Sequence, residues 1–106
     1  MSVKVEVKDK TVVAFIDGEV DHHTAKGIRS EIDSAIEANQ PNQTVLDFSA
    51  VTFMDSSGIG LVMGRYKIMQ EIGGTVTIQN PPSHIKRVMQ IAGLDKIACI
   101  TNSKVG

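Results

Sequence analysis

The sequence predicts an α/β fold: one domain over residues 1–106, built on a mixed, mostly parallel sheet of about five strands in the order β-β-α-β-α-β-α-β. Three observations carry that expectation. After an opening pair of strands, helical and strand patterns alternate. Parallel neighbours need long right-handed crossovers, and the helical segments supply them. The length of 106 residues suits one compact domain, and no repeat, linker or low-complexity stretch divides it.

Val3, Val5 and Val7 alternate with Lys4, Glu6 and Lys8, the period of a half-buried strand. Asp9-Lys10 reads as a tight turn. The denser apolar run from Thr11 to Ile16 predicts a strand covered on both faces, ended by Asp17-Gly18. Between Asp21 and Ala38, residues Ala25, Ile28, Ile32, Ala35 and Ile36 recur at helical spacing, with Asp21 as N-cap. Asn39 to Gln43 is a loop, because Pro41 cannot continue a helix, and Thr44 to Phe48 is the third strand. Beyond Asp55-Ser56-Ser57-Gly58, residues Ile59, Val62, Met63, Tyr66 and Met69 follow helical spacing, capped by Asp55 or Ser56 and stopped at Gly73-Gly74. Thr75 to Gln79 forms the fourth strand. Pro81-Pro82-Ser83 opens a third helix that puts Ile85, Val88, Met89 and Ala92 on one face and closes at Gly93. Ile97 to Ile100 is the last strand, and Thr101 to Gly106 an exposed tail.

Composition narrows the function. The chain is too short for the two large lobes of a kinase or the added domain of a dinucleotide dehydrogenase. Eleven Lys and Arg against twelve Asp and Glu give a net charge of −1, without the positive excess that binds a phosphate backbone, so nucleic acid is not an expected partner. A single cysteine, Cys99, excludes an internal disulfide and a multi-cysteine zinc site, and its apolar strand predicts a core position. The amino terminus alternates apolar with charged residues, unlike a signal peptide, and the longest stretch free of charge, Ile72 to Ser83, is broken by Gly, Thr, Gln and Pro. No membrane association and a reducing cytoplasmic location are expected.

The most informative segment is Met54-Asp55-Ser56-Ser57-Gly58-Ile59-Gly60, which sets two hydroxyls at a helix N-terminus directly after a strand. Amides there are unpaired and the helix dipole is positive, so an anion on Ser56 or Ser57 is tolerated; the plainer alternative is a serine that merely caps the helix. Enzyme patterns fail at this segment. Neither serine has the glycine two positions before it that a nucleophile elbow needs, and the Gly-Lys-Ser/Thr ending of a P-loop is absent. Asp21-His22-His23 is a second candidate, as a proton or phosphoryl carrier or a metal ligand pair. Adjacent histidines on a helix diverge, so a metal would need ligands from elsewhere and none is expected. In a mostly parallel sheet, Gly18-Glu19-Val20-Asp21 and Asp55-Ser56-Ser57 leave strands on the same rim. Glu19, Asp21 and Asp55 would make it acidic and readable by a basic partner, and a phosphoryl group on Ser56 would add about −1.5 to −2 charges.

With those residues in view, the chain resembles the anti-sigma factor antagonists, the small single-domain members of the STAS family, over nearly its whole length. Phe53-Met-Asp-Ser-Ser-Gly-Ile-Gly60 carries the resemblance, supported by Gly18-Glu-Val-Asp-His-His-Thr-Ala25, Gly64-Arg-Tyr-Lys67 and Ile72-Gly-Gly74. The His-His-Thr-Ala and Arg-Tyr-Lys pieces look most like the branch that serves the sporulation sigma-F system. The resemblance implies a regulator without enzymatic activity or cofactor, whose unphosphorylated form binds an anti-sigma factor serine kinase and frees the sigma factor. It implies that this kinase phosphorylates Ser56 and that a serine phosphatase reverses the step. It further implies that Glu19 and Asp21 meet a basic patch on the kinase, with Ser57, Gly58 and Ile59 near its nucleotide side. Family members finish with a further helix, where this chain ends at Gly106. Two other readings stand beside this one: a histidine phosphocarrier using His22 or His23, and a constitutive interaction module in which Ser56 is only a cap.

Overall fold

A computed structural model describes residues 2–102. Its five strands, β1 (Val3–Lys8), β2 (Thr11–Val20), β3 (Gln43–Met54), β4 (Thr75–Gln79) and β5 (Cys99–Thr101), lie side by side in chain order. The β1–β2 hairpin is antiparallel and every later pairing is parallel. Helices α1 (Ala25–Asn39), α2 (Ser56–Glu71) and α3 (Ser83–Ile91) make the crossovers. Since each crossover steps in the same direction, right-handed connections put all three helices on one face of the sheet.

That one-sidedness explains the burial pattern. On the helical side, Ala14, Ile16, Leu46, Phe48, Val76 and Ile78 form one core with Ile28, Ile32 and Ile36 of α1, Val62 and Met69 of α2, and Ile85 and Met89 of α3. Full burial of an aliphatic side chain contributes roughly 1.5–3 kcal/mol, so its isoleucine stripe anchors α1 far more than its start, where Thr24 makes no side-chain cap bond. On the open side of β2, Thr11 and Val13 are half-buried and Phe15 is exposed, so the strand expected to be covered on both faces is covered on one. Cys99 is likewise exposed rather than core.

Several boundaries move. Asp9 and Lys10 take the positive φ values, 51° and 62°, of the expected tight turn. Strand β2 continues past Asp17-Gly18 to Val20, and β3 runs to Met54 rather than ending at Phe48. The first helix starts at Ala25 because Asp21 caps a turn ahead of it, and it persists to Asn39. Gly73, at φ 81°, and the Gly74 amide bonded to the Met69 carbonyl at 2.7 Å end α2 as expected. Of the expected α2 stripe, Val62 and Met69 are buried and Ile59 and Tyr66 pack half-buried against the core, Met63 is exposed instead, and Gly58, Leu61 and Arg65 are buried with them. In α3, Ile85 and Met89 face the core, but Val88 and Ala92 do not. A single 3-10 turn, Leu94–Lys96, occupies the approach to β5, whose strand starts at Cys99. Of the expected tail, Thr101 belongs to β5, Asn102 is exposed, and residues 103–106 lie outside the described residues.

Register matters most between β2 and β3. Ten residues of β2 face twelve of β3, and the register shifts between Phe15 and Asp17 and between Gly18 and Glu19. The two surplus residues of β3 are β-bulges, which bend a strand and re-aim the residues beyond the bend. Gly18 adopts φ 76° at the second shift, a conformation open to glycine at little cost.

On the open face, Asp47 is buried beside Phe15 in the β2–β3 register and accepts hydrogen bonds from the Ser49 amide and hydroxyl (2.9 and 2.6 Å) and from Gln79 Nε2 (2.8 Å). Burial pushes its carboxyl up, but the bonds from Gln79 and Ser49 outweigh that and hold it below the ordinary 3.8. A pKa depressed on folding stabilises the fold above the unfolded value, and the contribution is lost as pH falls through the folded one. Wild type should therefore lose stability more steeply than Asp47→Asn as pH drops below about 4; urea unfolding at a series of pH values measures it, and parallel curves would remove Asp47 from acid stability.

Candidate functional site

The carboxyl ends of β2 and β3 meet at the rim. Val20 pairs with Met54, Glu19 pairs with Phe53, and the Asp55 amide donates to the Val20 carbonyl at 3.2 Å. Val20 and Met54 point into the core at 0% and 6% exposure, while Glu19 and Phe53 face solvent. The two segments expected to share a rim are thus joined by the sheet itself.

Each segment is closed by an aspartate. Asp55, the N-cap of α2, accepts from the Ser57 amide at 2.8 Å, and its own carbonyl takes the Gly58 amide at 3.0 Å. This leaves Ser56 exposed as the first residue of α2, Ser57 and Ile59 half-buried, and Gly58 buried. A Cβ on Gly58 would overlap the Met54 side chain, so glycine allows α2 to start this close to the strand it follows. Asp21 accepts from the His23 amide at 2.9 Å and the Thr24 amide at 3.0 Å, and Thr24 Oγ1 donates to the Glu19 carbonyl at 2.9 Å. The Thr24 amide above all, helped by that of His23, holds the Asp21 carboxyl below its ordinary value.

His22 and His23 sit in this turn and not on the helix. Their rings do not diverge but lie against each other, with centroids 4.0 Å apart and planes tilted by 37°. Among the described residues no three metal-binding side chains converge. His84, exposed on α3, has Nε2 3.1 Å from the Thr52 carbonyl on β3.

Three features escape the sequence patterns. Phe53, half-exposed beside Glu19, gives the rim an aromatic contact. A groove of about 370 Å³ between the start of α1 and the start of α2 is lined by His22, Lys26, Arg29 and Ser57, so the acidic rim borders a basic cleft. Farther along, Arg65 of α2 is 3% exposed, with Nε 2.8 Å from Asp33 Oδ1 of α1. That contact misses hydrogen-bond alignment, and Nη1 has no partner among the described residues. It is a charge contact that ties α1 to α2.

Since Asp55 both caps α2 and offers charge at the rim, two substitutions separate the roles. Asp55→Ala should cost about 1 kcal/mol of stability and Asp55→Asn well under half of that, because Asn caps as well as Asp; equal losses in thermal unfolding would contradict the capping role.

Comparison with known proteins agrees with this architecture. Residues 2–105 match the STAS domain family. The chain is 36% identical to the anti-sigma F factor antagonist of Paenibacillus polymyxa, covering 99% of this chain and 90% of that protein. It superposes on the anti-sigma factor antagonist SpoIIAA in its unphosphorylated form with a TM-score of 0.85 at 32% identity, covering 97% and 89% of the two chains. It superposes on the phosphorylated form of the Bacillus cell fate determinant SpoIIAA with a TM-score of 0.77 at 33% identity, covering 97% and 92%. A sheet with sequential strands, three helices on one face and an Asp-Ser-Ser-Gly turn on its rim accords with that likeness, and the chain belongs to the STAS domain family, among its anti-sigma factor antagonists.

Proposed function

We propose that this protein is a phosphorylation-controlled binding module: unphosphorylated, it binds an anti-sigma factor that is also a serine kinase, and the sigma factor is released. That kinase transfers the terminal phosphoryl group of ATP to Ser56, binding is lost, and a serine phosphatase restores the free hydroxyl. The carrying observation is the exposed Ser56 at the first position of a capped helix, fixed by the sheet beside Glu19 and Asp21. That SpoIIAA exists in unphosphorylated and phosphorylated forms supports the reading.

In this mechanism the rim works as a charge-reading surface. Glu19, Asp21 and Asp55 face a basic patch on the kinase, and Ser57, Gly58 and Ile59 pack beside its nucleotide. A phosphoryl group on Ser56 adds about −1.5 to −2 charges and three oxygens where the partner must approach. Its cost to binding is local, because Val20 and Met54 keep both rim segments seated in the core.

Incubation with a candidate anti-sigma kinase and ATP, followed by tandem mass spectrometry, tests the site. A single acid-stable phosphate on Ser56 is expected, and Ser56→Ala should bind the kinase yet stay unmodified. Phosphate on Ser57 would move the site. Acid-labile phosphate on His22 or His23 would replace the switch with a histidine carrier, and partner affinity indifferent to ATP would leave only a constitutive module.

A further inference from the structure

The basic groove beside the serine turn has no counterpart in the rim mechanism. Lys26 and Arg29 stand one turn apart on the exposed side of α1, and with His22 they line one wall; Ser57, Gly60 and Leu61 of α2 line the other. Among the described residues the ion pairs are Lys4–Glu6 and Arg65–Asp33, so neither Lys26 nor Arg29 is neutralised by a carboxylate. Behind Arg29, the buried guanidinium of Arg65 has spent its one carboxylate contact on Asp33 and leaves Nη1 unpartnered. Arg29 lies close enough to Arg65 for the two cations to repel each other. The wall therefore carries uncompensated positive charge directly against the residue that follows Ser56.

A phosphoryl group on Ser56 would meet opposite fields on its two sides. Glu19, Asp21 and Asp55 belong to the rim, and Lys26 and Arg29, with His22 beside them, line the groove. Lysine and arginine stems are long enough to follow a phosphate carried by the neighbouring residue, and guanidinium and ammonium groups form strong charge-assisted hydrogen bonds with phosphate oxygens.

We propose that the groove is an internal phosphate receptor: once Ser56 is phosphorylated, Lys26 and Arg29 clasp the phosphoryl group at the mouth of the α1–α2 cleft, where it still stands on the rim. The clasp rests on Ser56 being the modified residue, and it adds to the switch a defined resting place for the phosphate. The phosphorylated form is then locally closed across α1 and α2, with its fold unchanged.

Phosphoserine incorporated at position 56 during translation, followed by a 31P NMR pH titration at low salt, tests the clasp without any kinase. Adjacent cations favour the dianion while Glu19, Asp21 and Asp55 disfavour it, so a clasp that outweighs the rim carboxylates should hold the second phosphate pKa about 1 unit below the ~6 of free phosphoserine. In Lys26→Gln/Arg29→Gln, whose targets are exposed and outside the core, most of that shift should disappear, and in His22→Gln most should remain. A titration at the free value overturns the clasp, as does an equal depression in wild type and the double variant, which would credit the α2 N-terminus alone. A kinase that leaves Ser56 unmodified would defeat the switch while leaving this titration fully readable.

Discussion

The parallel register at the ends of β2 and β3 is the constraint that governs the site. Two parallel neighbours must discharge their loops on the same rim, and here the contact is tight enough for the Asp55 amide to reach the Val20 carbonyl. Both helices that frame the site begin within a few residues of that point, α1 at Ala25 and α2 at Ser56. The two bulges on β3 make it possible: they advance the longer strand so that Val20 and Met54 finish together, both turned inward. A serine placed in this way is held by core packing. Under the proposed function, charge added to it would change what the surface offers while Val20 and Met54 stay packed in the core.

Opposite charges are arranged in adjacent strips around that serine. The acidic strip is partly committed, since Asp21 and Asp55 each accept backbone amides while presenting a carboxylate to solvent. These bonds fix the direction of the charge and, for Asp21, deepen its ionisation. The basic strip on α1 is uncommitted among the described residues and backed by a buried arginine. One side of the serine turn thus presents carboxylates to solvent and the other borders the protein's own first helix.

Much of this was legible in the residues. Alternating Val and charged residues, the isoleucine spacing of α1, Asp-Lys at the hairpin and Gly-Gly at the end of α2 are local signals, and local physics honours them. The rim pairing was legible from topology, because parallel strands leave no other place for the two acidic segments. What could not be read depends on neighbours in space. A bulge is a mismatch between two strands and has no signature in either alone. Arg65 is buried because half-exposed Asp33 on α1 gives it a charge partner, a contact between two helices that neither helix's pattern shows alone. Phe15 and Cys99 look like core residues and are exposed because, among the described residues, no helix crosses the second face of the sheet. The histidine pair reads as a helix start, but Asp21 bonds to the His23 and Thr24 amides and makes a turn first.

The most direct test of the rim as the binding surface is a two-dimensional 1H–15N NMR titration of the labelled protein with an unlabelled candidate anti-sigma kinase. Binding through the rim predicts amide perturbations concentrated at Gly18–Asp21 and Asp55–Ile59, and their absence when phosphoserine occupies position 56. Perturbations centred on the open face of the sheet, around Phe15 and Val45, or a pattern unchanged by phosphoserine, would contradict it.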